Sequence, residues 1–259
     1  MKEYIKYLKY VRNHRKNIKR ACDYWLKEWS DEYKYKGDRE KEIKRILRKI
    51  KITHDLSKYN PIEFIPYARN FYGEKKCNDC EKEYSCKLLN GIEDIDDCRY
   101  FRAIGWNKAW EHHFRNNKHH WNYWVYDWNK YETEPESPLL KYCKLDEPIE
   151  MDRKYILEMI IDWTAMGYQF GNTPQEYYLN NYNNIKLNRD TRYILEIWLG
   201  LLHYSEPIDY YDAEYWMTIK ELKMNGYDLN KLLKPKHCEI TLNFNKYDDM
   251  IKIDNGDID

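Results

Sequence analysis

The sequence predicts an all-α fold. Gly and Pro number only 9 and 8 among 259 residues, too few for the many tight turns of a β-rich chain. Apolar residues recur three and four positions apart through long charged stretches, the period of helices with one buried face. The mean hydropathy of -1.00 would suit a disordered chain. Yet 27 Tyr and 10 Trp supply enough apolar surface to cover a core, so a folded domain is expected.

The elements follow in order. Residues 3–29 read as one helix, with Val11, His14, Ile18, Cys22, Trp25 and Trp29 on a single stripe. His14 lies inside that stripe and so points inward. A second helix begins near Arg39 and carries Ile43, Leu47 and Ile50 up to His54. Asn60-Pro61-Ile62-Glu63 reads as a helix start, with Asn as cap, Pro at the first position and Glu at the third. Thr173-Pro174-Gln175-Glu176 repeats that signature. From Gly105 to about Lys130 the pattern predicts an aromatic helix carrying His112, His113, His119 and His120. A linker spans Glu132 to Pro148, and further helices are expected near 151–169, 174–184, 190–203 and 212–224. Residues 237–244 read as a short strand before a mobile acidic tail. The organisation is a helical domain built from 1–72 and 101–233, a four-cysteine insert at 73–100 and an extension over 234–259.

A formal net charge of zero hides a division. Residues 1–51 carry 18 Lys and Arg against 8 Asp and Glu, a net of +10, balanced by -10 in the remainder. Such a segment could attract nucleic acid, but the solvated outer face of long helices is the more ordinary use of this charge and is the reading preferred. No apolar run approaches the roughly 18 residues of a membrane span. The start, MKEYIKYLKY, lacks the apolar stretch of a secretory signal. A cytoplasmic location without a membrane partner is therefore expected.

His54-Asp55-Leu56-Ser57-Lys58 is the most informative run. An imidazole gives a neutral nitrogen donor, and a carboxylate a charged oxygen donor, to a divalent ion. On a helix Lys58 would neighbour both Asp55 and His54, placing an ammonium beside the ion where an anionic group binds. Asp162 sits among apolar residues in Glu158-Met159-Ile160-Ile161-Asp162-Trp163, where a carboxylate is costly unless paired or on a metal. Glu158 shares its face. With His14 and the 112–120 cluster, donors recur at four well-separated places. On one continuous helix His113 and His120 share a face, with His119 about 100° away. His113 is the preferred ligand, followed by His119 or His120. Asn117 is placed to orient a ligand or to meet substrate, and His112 to lie at the surface or hydrogen-bond nearby. His203 and His237 read as ordinary histidines.

The order His14, His54-Asp55, Asp162 resembles the HD-domain superfamily of metal-dependent phosphohydrolases, whose four such residues bind one metal. The additional histidines resemble members that bind two. A closer likeness is to a family of bacterial and phage proteins of unknown function. Its signature is similar to HDLSK with Glu63-Phe64 and Pro66-Tyr67, to Ala109-Trp110, His113, Asn117 and His119-His120-Trp121, and to Glu158-Met159 with Asp162-Trp163. The likeness covers roughly residues 11–200. The resemblance implies an HD-like helical bundle with His14, His54, Asp55 and Asp162 on one ion. It implies His113 with His119 or His120 on a second, bridged by Asp55.

The segment between Tyr72 and Phe101 departs from that pattern. It holds Cys77, Cys80, Cys86 and Cys98, the first two in a CxxC knuckle. Four thiolates in so short a polar segment suit a zinc ion, or an iron–sulfur cluster, better than disulfides. Cys22 reads as core.

The expected function is hydrolysis of a small phosphorylated substrate, a nucleotide or another phosphoester, with one or two divalent ions (Mn, Fe, Mg, Ni or Zn). Lys58 would neutralise the transferring group, and Glu158 would act as general base or orient a ligand. Two other readings are a non-catalytic, metal-stabilised binding protein and a di-iron oxygenase. The phosphate-binding character of Lys58 weighs against the latter.

Overall fold

The computed structural model describes residues 1–33, 38–73, 99–133 and 143–201, together with Met224. Eight α-helices run through these residues: α1 (Lys2–Tyr33), α2 (Asp38–Thr53), α3 (Pro61–Tyr72), α4 (Arg99–Asn116), α5 (Trp128–Thr133), α6 (Arg153–Phe170), α7 (Pro174–Asn180) and α8 (Arg189–Trp198). Short 3-10 turns lie at Leu56–Tyr59 and Trp121–Val125. Among the described residues there is no strand, only a bridge between Tyr126 and Lys144. The fold is all-α, as the periodicity predicts. No helix among the described residues is long and apolar enough to cross a membrane.

Helix α1 organises the molecule, packing on α2, α3 and α6. Its inward stripe touches two separate apolar clusters. Toward its start, Tyr7 and Val11 pack with Tyr67 and Ala68 of α3 and Ala109 of α4. Further along, Ile18, Cys22 and Trp25 join Ile43, Leu47 and Ile50 of α2 and Ile156, Ile160 and Ile161 of α6. His14 falls on the same face between the two clusters and is fully buried. A polar centre thus sits at the seam of the core, where three helices and a turn converge. Trp25 is also fully buried, and its indole N–H donates to Thr164 Oγ1 at 3.0 Å, so no polar atom of that side chain is stranded.

Both predicted cap signatures form. Asn60 accepts from the Ile62 N–H at 3.0 Å, and Thr173 forms a reciprocal box with Glu176. The long helix expected from Gly105 to Lys130 does not form. It stops at Asn116, because Asn116 and Asn117 donate their side-chain amides to the carbonyls of His112 and His113, both at 2.7 Å. Those bonds satisfy the last turn from within and let the chain turn back. The helix expected over 174–184 is shorter for a similar reason, since the Asn181 amide bonds back to Tyr177 O at 2.9 Å. The four-cysteine insert (Cys77, Cys80, Cys86, Cys98), His203, His237, the strand at 237–244, the acidic tail and nearly all of 212–224 lie outside the described residues.

Candidate metal centre

The centre is built from the local chemistry of four segments. Helix α2 ends at Thr53, so the His54-Asp55 pair does not lie on a helix as expected. It occupies a turn in which Asp55 adopts φ 54° and ψ 29°, the only left-handed non-glycine among the described residues. Arg15 of α1 fixes this turn by donating to the carbonyls of His54 and Ile52, both at 2.8 Å. The 3-10 turn that follows brings Lys58 back to Asp55, with Nζ 2.5 Å from Oδ2. The turn thus achieves by a tighter route the proximity that a helix would have given to Asp55 and Lys58.

Four donor atoms meet at one point. His14 Nε2 lies 3.3 Å from His54 Nε2, 3.3 Å from Asp55 Oδ2 and 3.2 Å from Asp162 Oδ1. His54 Nε2 lies 3.3 Å from Asp55 Oδ2 and 3.4 Å from Asp162 Oδ1. Nearly equal separations of this size are those of donors seated about 2.0 Å from one common ion in a tetrahedral array. All four residues are buried, and together they form a group able to hold a metal.

A second group lies against the first. Asp55 turns its other oxygen, Oδ1, toward His113 Nε2 at 3.5 Å and His119 Nε2 at 3.6 Å. His120 Nε2 faces His113 Nε2 at 2.8 Å. Two imidazole nitrogens that close must share a proton or a cation. Asp55, His113 and His120 form one further ligating group, and His119, His120 and Asp162 another. The proximity of His113 and His120 does not come from two turns of one helix. It arises because the chain folds back after Asn117, with the His120 N–H donating to Asn117 O at 3.1 Å.

Carboxylates behind the histidines set their orientation. His54 Nδ1 donates to Glu158 Oε1 at 2.9 Å, which turns Nε2 toward the centre. His113 Nδ1 donates to Glu63 Oε2 at 2.8 Å with the same result. Glu63 also accepts from His112 Nδ1 at 2.7 Å and Ser57 Oγ at 3.1 Å. Asn117 donates to that hydroxyl at 2.7 Å and so braces the His113 side. Such pairings fix the tautomer and aim of metal-ligating imidazoles. His112 is a hydrogen-bonding neighbour, one of its two expected places. Ser57 and Glu63 belong to the family-like signature in the sequence, but the sequence assigns no role at the site to them or to Arg15. Glu63 reads there as a helix-start residue, but its full burial beside two histidines gives it this second task.

The electrostatics fit a cation. Burial alone would raise the Asp55 and Asp162 carboxyls, but neighbouring histidines, with Lys58 beside Asp55, hold both well below the usual carboxylate range. Burial alone would also lower His54; the Asp55 charge and bonds to Asp162, Asp55 and Glu158 overcome it and hold the imidazole well above its ordinary value. Burial lowers His119 to about 4 and takes His120 well below its ordinary value, so both offer neutral lone pairs at pH 7. Both Asp55 oxygens and His119 Nε2 are buried without a well-aligned hydrogen bond, although Lys58 stands close to Oδ2. Orphaned acceptors of this kind in a nitrogen and oxygen donor set suit a divalent ion.

Fold and site together define an all-α protein with a buried constellation of histidine and carboxylate donors suited to one or two metal ions. Residues 3–201 match a family of unknown function (DUF5662), and the chain belongs to that family. No curated protein and no solved structure matches the chain.

Proposed function

We propose that the protein is a metal-dependent phosphohydrolase of the HD type, acting on a nucleotide or another phosphoester. The observation that carries this reading is the convergence of His14, His54, Asp55 and Asp162 on one point at donor separations of 3.2–3.4 Å. Those four residues would hold one divalent ion, and His113 with His119 or His120 a second, with Asp55 giving one oxygen to each. A bound divalent ion would lower the pKa of a water and polarise a phosphoryl oxygen.

The chain's own groups carry the rest. Burial opposes the charge on Lys58, but the Asp55 carboxylate keeps its ammonium charged, so it can neutralise an incoming phosphate. Glu158 already accepts from His54 Nδ1 and lies 3.5 Å from His119 Nδ1, which suits an orienting carboxylate better than a general base. Asn117 is likewise engaged with Ser57 and the His113 carbonyl, so it positions ligands and does not reach for substrate. At the rim, Lys58, Asp162 and Glu158 side chains remain 11–15 % exposed, which leaves an approach to the centre.

The test is elemental analysis of natively purified protein, followed by a screen of phosphomonoesters and diesters. Asp55→Asn and His54→Ala should each lose metal from this centre and all turnover. Unchanged metal content in both variants would overturn the ligand assignment. Full metal occupancy without turnover of any ester would instead favour a non-catalytic, metal-stabilised binding protein.

A further inference from the structure

Part of the basic charge of α1 gathers in a concavity. Lys6, Lys9, Lys16 and Arg20 line one groove of about 640 Å³, walled on its other sides by Tyr72 of α3 and Gln169 of α6. Their spacing is helical, so the cations form a row about 21 Å long on one side of α1. All four are exposed, and among the described residues none forms an ion pair. Arg20 instead places its guanidinium carbon over the Tyr168 ring, 4.0 Å from the centroid. No acidic side chain lines the groove. Charge assembled in a concavity focuses potential, in a way that charge on an open helix face does not.

The groove abuts the metal centre. Tyr10 lines it, and its ring stacks against His14 at a centroid distance of 6.4 Å and an interplanar angle of 8°. Burial raises the Tyr10 hydroxyl above its ordinary value, and Lys58, Asp162 and Asp55 all lie close enough to act on it. Asn17, also in the lining, donates to the carbonyl of Ala165, one turn beyond Asp162. One aromatic ring therefore separates a row of cations from a metal ligand.

We propose that this groove binds a single-stranded nucleic acid along α1, so that the phosphoester presented to the metal centre is an internucleotide linkage. A row of about 21 Å exceeds one mononucleotide and matches several consecutive phosphates. Tyr72, half-buried in the groove wall, offers a ring to a base, while the lysines track the backbone without reading sequence. Cleavage adds the oxygen of one water to phosphorus and breaks one P–O bond to a sugar. The departing sugar oxygen takes a proton from that water, leaving a phosphomonoester end and a free hydroxyl. This cleavage rests on the phosphohydrolase reading; the binding does not.

Fluorescence anisotropy on the metal-stripped full chain tests the binding, with end-labelled DNA and RNA strands of about 12 nucleotides. The DNA and RNA arms decide which strand is preferred. Lys9→Ala/Lys16→Ala should weaken strand binding at least tenfold at low salt and flatten the salt dependence by about 1.4 log units per decade. Lys19→Ala, also exposed on α1 but outside the groove, should bind as wild type. Wild-type affinity in the double variant, an equal loss in Lys19→Ala, or equal displacement of the strand by polyglutamate would each overturn the proposal. Asp55→Asn should bind strands and cut none. Strand binding mapped to Lys9 and Lys16, with no ester cleaved by any form, would sink the hydrolase reading and leave the groove assignment standing.

Discussion

Asp55 faces both candidate ion positions with one carboxylate, and its backbone carries the cost. A left-handed φ of 54° is tolerated by Asp and Asn better than by most residues, but still stores roughly 1 kcal/mol of strain. Asp55→Asn keeps the backbone tolerance but removes the charge opposite Lys58, so it should lose metal with some stability, and Asp55→Ala should lose more stability still. Glu158 and Glu63 act one bond further out. Replacing Glu158 by Gln keeps an acceptor for His54 but removes its charge, and metal affinity should fall about 10-fold by equilibrium dialysis against a chromophoric chelator. Affinity equal to wild type would show that Glu158 does not aim the imidazole. Protons compete with the first ion as well. In the metal-free protein the raised His54 stabilises the fold below its unfolded pKa of about 6.5, and that contribution fades as pH rises through the folded value. Metal must displace this proton, so binding should tighten with pH and release protons, read by calorimetry in buffers of different ionisation enthalpy. His119 and His120, already neutral, should add no proton release between about pH 6 and 8. Binding that is flat with pH would contradict the assignment of His54.

At the scale of elements, the legible features are those with local causes. The stripe on α1, the Asn60 and Thr173 caps and the inward aim of His14 all follow from residue order and appear in the structure. The break after α4 is also local in cause, since Asn116 and Asn117 bond back to the preceding turn. A strong aromatic period outweighs that signal when only spacing is read. The HD turn hides for another reason. Its geometry is held by Arg15 from a different helix, which no local pattern discloses. Glu63 is similar: a helix-start position gives no sign that α4 will bury it against two histidines. Helix α6 matters most at this scale because it supplies both Glu158 and Asp162. It ends at Gly171, with φ 79°, and just before that end a Cβ on Gly167 would meet Asn172 O at 2.1 Å. Gly167→Ala should cost about 1–3 kcal/mol in denaturant unfolding. A neutral result would mean that the 171–173 turn yields freely.

At the scale of the molecule, the centre occupies the seam between two apolar clusters, and its donors come from α1, the turn after α2, the region of α4 and its following turn, and α6. No one segment can hold the ion alone, so the ligating group exists only when these parts are assembled. The buried Asp55, Asp162 and Glu63 carboxylates and the half-buried Glu158 surround the Lys58 ammonium and the raised His54 imidazole. Assembly without an ion therefore rests on these pairings alone, against the cost of taking the charges out of water. An ion bound by the folded chain and not by the unfolded one adds about 2.7 kcal/mol of stability at a free concentration 100 times its Kd. For a folded unit of this size that corresponds to a rise in Tm of roughly 5–10 °C. Scanning calorimetry of chelator-stripped protein, with and without added Mn or Zn, should show that rise in a single transition. Asp162→Asn should abolish most of it, since the substitution removes one of four donors and leaves the apolar seam intact. Equal Tm values with and without metal in the wild type would mean that the seam is held by packing alone and that the converging donors do not bind an ion at all.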